Sequence, residues 1–440
     1  MSGRSGSRAL RSDLVDAAAL EVYGLVREGA WLADRALEKV LRREKRLYAV
    51  ERRAVAEAVY GLLRSQGLLE WLLGARPGGR ADLATLYALS LARTGAAAPE
   101  VAAKRLGISP RVVAAALDRA GERVAAIPDP VTRLAVEASL PRWIAERFVS
   151  ELGEDEARLL CRALNVRAPL TVRANLLKAT REELAERLEA EGVEAVPTRH
   201  SPWGLVLDGH ANAFALASFA DGLFEIQDEG SQLIALAVGA RPGWKVVDAC
   251  AGAGGKALAL AMEMHGKGDL VALDPDAERL DEARRRARRA GVHNLRARQI
   301  PPGAEADAAL QDLAGACERV LVDAPCSGLG TLRRKPDARW RLKQGDPERF
   351  AALQKELVAR FAKLAKKGAR LVYATCAVGR TENAEVAAFA EREVGLAPFP
   401  LEAALPAGLA AALGGAANTV QLLPHRHGTD GFFISAFEKR

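Results

Sequence analysis

Lys245-Val246-Val247-Asp248-Ala249-Cys250-Ala251-Gly252-Ala253-Gly254-Gly255-Lys256 decides the fold, because it passes from a β-branched run through a glycine-rich loop into a helix rich in alanine and leucine. Glycines at such a junction let the backbone approach a ligand closely, and the helix that follows offers unpaired N–H groups. The next strand-like run ends at Asp274, about 20 residues past Gly254, the distance at which a strand-end acid commonly accepts hydrogen bonds from a ribose. Loop and acid together predict a nucleoside-containing cofactor. The dinucleotide pattern G-x-G-x-x-G fits poorly, since Gly254 is followed by Gly255 and position 257 is Ala. Three glycines alone would equally mark a tight turn, and Asp274 is what separates the two readings.

Outward from this loop, strand-like runs at 245–248, 269–274, 295–298, 319–323 and 370–375 alternate with helical or loop segments. That order predicts an α/β, Rossmann-like domain with a mostly parallel, doubly wound sheet over 227–440. From Leu14 to about Ile127 apolar residues recur at helical spacing, as at Leu14, Ala18, Val22 and Leu25 and again at Val55, Val59 and Leu62. This predicts an all-α bundle over 1–130, closed by Pro128-Asp129-Pro130, where two residues lack an amide donor. Between the two, 131–226 reads as a small α+β domain with a strand at 170–173, a helix at 181–191 stopped by Gly192, and a strand at 205–207.

Two further runs end in cysteine: Val320-Leu321-Val322-Asp323-Ala324-Pro325-Cys326 and Leu371-Val372-Tyr373-Ala374-Thr375-Cys376. Both have the character of strands buried on two faces, so in a parallel sheet both sulfurs lie at the carboxyl edge, where open α/β sheets bind ligands. Cys161 and Cys317 carry no such motif and read as small buried hydrophobes. The five cysteines are scattered and the six histidines lack ligand spacing, which argues against a disulfide framework and against a metal.

Composition bounds the rest. With 440 residues, 49% hydrophobic and 27% charged, the chain has the balance of a soluble globular protein of about three domains, and no run reaches bilayer length. The polar start, Met1 to Arg8, has no apolar stretch and reads as a frayed terminus of a cytoplasmic protein. The formal charge of +7 and pI near 9.2 allow a polyanionic partner. Of the dense clusters, Arg42 to Arg46 and Arg284 to Arg289 read as solvated faces, whereas Arg333-Arg334-Lys335 follows the Cys326 motif and is expected beside the same pocket.

Taken together these residues resemble the RNA (cytosine-5) methyltransferase family, in its branch of small-subunit ribosomal RNA enzymes. Gln227-Asp228-Glu229-Gly230-Ser231-Gln232-Leu233 is similar to the family's lead-in, and Cys250 to Lys256 to its C-A-x-x-G-G-K. Asp323 to Gly328 resembles D-A-P-C-S-G, and Thr375-Cys376 with Glu382-Asn383 resembles T-C-S…E-N. The helical part is similar to a NusB-like RNA-binding bundle, and Arg173-Ala174-Asn175 to the R-V-N of a small middle domain. The resemblance implies S-adenosyl-L-methionine as cofactor, held by Cys250, Ala251, Gly252, Ala253, Gly254, Gly255 and Lys256, with Asp274 on the ribose and Asp323 also at the site. It implies Cys376 as nucleophile and Cys326 as the residue that assists release; spacing alone does not assign the two roles. Asp323 is then expected to hold or protonate the target base, and Lys256 either pairs with it or merely occupies the first helical turn. The chain departs from the family pattern at Gln299-Ile300-Pro301-Pro302-Gly303, where Gly-Asp is usual, at Ala257 for Thr and Ala377 for Ser, and at Gly252-Ala253 for Ala-Pro.

The chemistry explains the need for a thiolate. Carbon 5 of cytosine becomes nucleophilic once sulfur adds at carbon 6, and the adduct must afterwards be released. The expected function is methylation of a cytidine in small-subunit ribosomal RNA, free or in a partly assembled subunit, without metal or membrane. Alternatives are a transfer RNA cytosine-5 methyltransferase and a non-catalytic RNA-binding assembly factor. A nicotinamide oxidoreductase is disfavoured by the glycine spacing.

Overall fold

A computed structural model describes residues 10–29, 31–75, 81–208, 211–301, 303 and 305–440. Met1 to Arg8 and Pro302 lie outside the described residues. The chain forms two compact units, 1–166 with 332–344, and 167–331 with 345–440.

The first unit is helical. Val15, Ala19, Val22 and Val26 line one side of the helix Ser12–Arg27, and Val55, Val59, Leu62 and Leu63 one side of Ala49–Leu72; all are buried in one core. The predicted stripe is therefore the core stripe, with Leu14 and Leu25 at its partly buried margins. Buried polar groups tie these helices together: Tyr23 donates to Gln66, Arg27 pairs with Glu70, and Asp16 accepts from Tyr87 and Arg105.

The Pro128-Asp129-Pro130 stretch does not close this unit. Asp129 caps the helix Pro130–Glu137 by accepting from the Thr132 amide, and Pro130 occupies its first turn, where a missing N–H costs nothing. Helices continue to Glu154–Leu164, and the unit ends at Val166. It also takes in Leu332–Gln344. There the buried Arg339 donates to the carbonyls of Ala138 and Ser139 and to Asn165 Oδ1, at 3.1, 3.2 and 2.9 Å, and Trp340 Nε1 donates to Leu63. Arg333, expected beside Cys326, is buried and its carbonyl accepts from Arg64, so its cluster belongs to the packing of the helical unit.

The second unit holds two sheets. Strands β1 (Leu170–Ala174), β2 (Ala195–Pro197), β3 (Gly204–Leu207) and β4 (Phe224–Ile226) form an antiparallel sheet in the order β2-β3-β1-β4. Helix Arg181–Ala190 connects β1 to β2, and Leu184 and Leu188 pack on Val172, Leu205 and Phe224. The larger sheet contains β5 (Lys245–Asp248), β6 (Asp269–Asp274), β7 (Leu295–Gln299), β8 (Cys317–Asp323) and β9 (Ala365–Thr375), all parallel in the order β9-β8-β5-β6-β7. These are the five predicted strands. Beyond β9 the sheet continues with β10 (Ala397–Pro398), β11 (Thr419–Leu422) and β12 (Phe432–Glu438), paired antiparallel through β12 and not anticipated from the sequence. Strand order reverses between β5 and β8, which opens a crevice at their carboxyl ends.

Candidate active site

Four strand ends meet at that crevice. The loop after β5 carries Cys250 to Gly254, β6 ends at Asp274, β8 at Asp323, and Cys376 follows β9. Gly254 needs to be glycine twice over, with φ of +81° and with any Cβ falling 2.8 Å from Ala283 Cβ. Helix Gly255–Glu263 then begins with its free N–H groups at the crevice. Asp274 accepts from the amides of Gly252 and Asp276, at 2.9 and 2.8 Å, which fixes the loop against β6 and leaves acceptor sites on both oxygens.

Cys326 and Cys376 touch, with Sγ to Sγ at 3.1 Å, and the Cys376 amide also reaches Cys326 Sγ at 3.3 Å. The hydrogen bond to Cys376, with burial, pushes the Cys326 thiol well above its ordinary pKa, and either sulfur can be the donor in the contact between them. Lys256 Nζ donates to Asp323 Oδ2 at 2.6 Å, so of the two readings the pairing is the one the geometry has. Burial works against the Lys256 ammonium, but Asp323, Asp248 and Cys376 more than offset it, so its pKa lies above the usual lysine range. A cation is thereby fixed beside the paired sulfurs.

The two cysteine loops are clipped together from behind. Glu382, fully enclosed, accepts from the Ser327 amide and hydroxyl at 2.7 and 2.5 Å and from Gln354 at 3.3 Å. Asn383 accepts from the Thr375 hydroxyl at 2.6 Å and donates to the Ala377 carbonyl and Gln421. Gly330 donates to the Cys376 carbonyl and accepts from Gly431, an approach so close that a Cβ on Gly330 would lie 2.2 Å from the Gly431 oxygen. Glu382-Asn383 was visible as a motif, but its partners lie across the sheet edge and no local pattern names them.

Asp248 was not singled out beyond its place in the loop. It is buried, neither carboxyl oxygen has a hydrogen-bond partner among the described residues, and burial followed by Asp323 raises its pKa to about 7. Cys250 is likewise held as a thiol, by burial and then by Asp248, Asp323 and Asp274. Cys161 and Cys317 are buried and pushed to about 12, chiefly by desolvation. Among the described residues no group of three or more His, Cys, Asp and Glu could hold a metal ion, and no helix is long and apolar enough to cross a membrane.

A parallel sheet with a glycine loop after one strand, an acid closing the next and a reactive edge beyond the switch point defines a Rossmann-like methyltransferase domain. The comparisons are specific. The family model described as 16S rRNA methyltransferase RsmB/F matches residues 235–438, and one for the ferredoxin-like domain of RsmF/B-like methyltransferases matches 140–213. The chain is 36% identical over 317 residues to the probable ribosomal RNA small subunit methyltransferase B of Bacillus subtilis, covering 72% of this chain and 70% of that one. It is 32% identical over 432 residues to the protein of that name in Synechocystis, covering 92% and 94%. A solved methyltransferase homologue from Pyrococcus horikoshii superposes with a TM-score of 0.60 at 25% identity, covering 71% of this chain and 99% of that one. The chain belongs to the 16S rRNA methyltransferase RsmB/F family and is a methyltransferase.

Proposed function

We propose that the protein methylates carbon 5 of one cytidine in small-subunit ribosomal RNA, with S-adenosylmethionine as the methyl donor. The observation that carries this reading is the 3.1 Å contact between Cys326 and Cys376 beside the Lys256–Asp323 pair. Paired sulfurs with a neighbouring cation and acid suit thiolate addition to a pyrimidine and have no use in hydride transfer. The names borne by the Bacillus and Synechocystis relatives favour small-subunit ribosomal RNA over transfer RNA.

The residues at the crevice fit the cofactor. Asp274 retains acceptor capacity for ribose hydroxyls, the helix start at Gly255 suits a carboxylate, and the buried Asp248 ahead of the loop has oxygens without a hydrogen-bond partner among the described residues. Residues Cys250 to Lys256, Asp274 and Asp323 would hold it, and when bound it supplies an electrophilic methyl group.

The chain's own residues perform the rest. Lys256 and the Cys326 thiol favour the Cys376 thiolate, which adds to carbon 6 while Asp323 holds or protonates the base at its ring nitrogen. The electron pair displaced toward carbon 5 makes that carbon nucleophilic toward the donor's methyl group, whose bond to the donor sulfur would break as the neutral thioether leaves. The carbon 5 proton then passes to a water base, its electron pair re-forms the ring double bond, and the carbon–sulfur pair leaves on Cys376 as thiolate, with Cys326 placed to assist that release. The base must leave its stack first, at a cost on the order of a few kcal/mol. The helices read as NusB-like over 1–130, and the segment 131–226, whose helices to Leu164 pack with them and whose strands join the second unit, are read as the RNA-binding parts that offset this cost, on free RNA or a partly assembled subunit in the cytoplasm.

The test is incubation of wild type, Cys376→Ala and Cys326→Ala with labelled S-adenosylmethionine and unmodified small-subunit ribosomal RNA. Label on a cytidine in wild type, none with Cys376→Ala, and a persistent protein–RNA adduct with Cys326→Ala are expected. A wild type that binds this RNA yet transfers no methyl to it or to transfer RNA would hand the reading to an assembly factor.

A further inference from the structure

The antiparallel sheet of the second unit reaches the cofactor loop from behind. Arg173 on β1 is fully buried, and its Nη1 donates to Gln227 Oε1 at 2.9 Å and to the Gly255 carbonyl at 3.2 Å. On the neighbouring strand β4, the buried Glu225 accepts from Arg286 Nε and Nη2 at 3.1 and 2.9 Å and from Arg289 at 2.5 Å. Arg286 Nη1 in turn donates to the Ala253 carbonyl at 2.9 Å. Each of these loop carbonyls is thus gripped by a guanidinium whose own orientation is set by the small sheet.

Gripping a carbonyl fixes more than one atom. The peptide unit is planar and trans, so holding C=O on one side sets the direction of the N–H on the other. Arg286 on Ala253 stabilises the turn closed by the Gly254 amide on the Ala251 carbonyl at 2.9 Å. Arg173 on Gly255 orients the Lys256 amide in the first helical turn, the same residue whose ammonium pairs with Asp323. Charge-assisted hydrogen bonds in a buried setting hold such a plane tightly.

We propose that Arg173, Glu225 and Arg286 are positioning residues for the cofactor, so that the small antiparallel sheet is a structural half of the cofactor site and sets how tightly S-adenosylmethionine is held. This rests on the S-adenosylmethionine reading above. None of the three touches the reacting atoms; they act through the loop.

The experiment is calorimetric titration of the full chain with S-adenosylmethionine in the absence of RNA, with amide exchange over 250–256 and steady-state kinetics in parallel. Variants are Glu225→Gln, Arg286→Met and the conservative Arg286→Lys and Arg173→Lys, with Arg285→Met as control on an exposed site of the same helix. We expect Glu225→Gln and Arg286→Met to weaken binding about tenfold, with Arg286→Lys between them and wild type, because lysine keeps the charge without the fork. KM for the cofactor should rise by the same factor while kcat at saturating cofactor changes less than about twofold, and loop amides should exchange faster. Arg285→Met should match wild type. Equal binding by wild type and all clamp variants overturns the proposal, as does a loss that merely tracks the fraction unfolded in thermal melts. A wild type that does not bind S-adenosylmethionine sinks the cofactor reading and this proposal with it.

Discussion

The carboxyl edge of the parallel sheet and the surface of the helical unit handle charge in opposite ways. At the edge the pair Lys256–Asp323 sits with side chains 12% and 27% exposed, and Lys256 interacts electrostatically with Cys376. On the helical surface, pairs such as Arg42–Glu38, 78% and 47% exposed, follow helical spacing and face water. An exposed pair gains little because water and salt screen it, whereas a sheltered pair acts over several ångströms. The lesson is that a net charge of +7 does not locate the chemistry, and the few enclosed polar groups do.

The largest expected effect tests the edge. Cys376→Ala should lower methyl transfer by about 10⁶-fold, the scale on which an enzymatic nucleophile is lost, with the fold intact by circular dichroism. Residual turnover close to wild type would remove the contrast altogether.

Asp248 supplies the next. Its folded pKa of about 7 lies above an ordinary aspartate's, so the folded state holds a proton that the unfolded chain has released. Stability is therefore fully present below about pH 4 and lost as pH rises through about 7, by at most ~4 kcal/mol. Asp248→Asn cannot ionise, so denaturant midpoints of variant and wild type should separate between pH 5 and 8. Parallel profiles would show that burial at this edge is not what it appears in the fold.

Glu382→Ala leaves the Ser327 amide and hydroxyl without this acceptor and leaves Gln354 with the Pro325 carbonyl alone. Stability should fall by about 3 kcal/mol, and methyl transfer should fall further than stability because the sulfurs lose their register. At the small end, Arg42→Ala should change unfolding free energy by no more than about 0.5 kcal/mol. A larger loss there would mean that the helical surface uses its charge as the sheet edge does.

Much of the fold was legible because it is written in local periodicity. The stripe at Val55, Val59 and Leu62 and the apolar runs ending at Asp323 and Thr375 became core helix and central strands. Strands β11 and β12 were missed because β12 joins β9 antiparallel and β11 pairs with β12, outside the strand–helix alternation that marks the parallel part. Pro128 to Pro130 reads as a boundary in sequence, and in the structure it starts the helix Pro130–Glu137, because proline that stops one helix is also well suited to start the next. Arg333 to Lys335 was placed by its nearness in sequence to Cys326, whereas its segment packs with the helical unit, where Arg339 and Trp340 anchor it.

By itself the sequence determined the fold class, the glycine-rich loop from Asp248 to Lys256, the strand-end acids and the two candidate cysteines, because each is set by propensity and pattern over a dozen residues or fewer. Only the tertiary structure decided that two sulfurs 50 residues apart lie 3.1 Å from each other, that Lys256 pairs with Asp323, and that Arg173 and Arg286 hold the loop from behind. The reason is geometric: such contacts depend on strand order, register and side-chain direction across the packed sheet, which no local stretch of chain specifies.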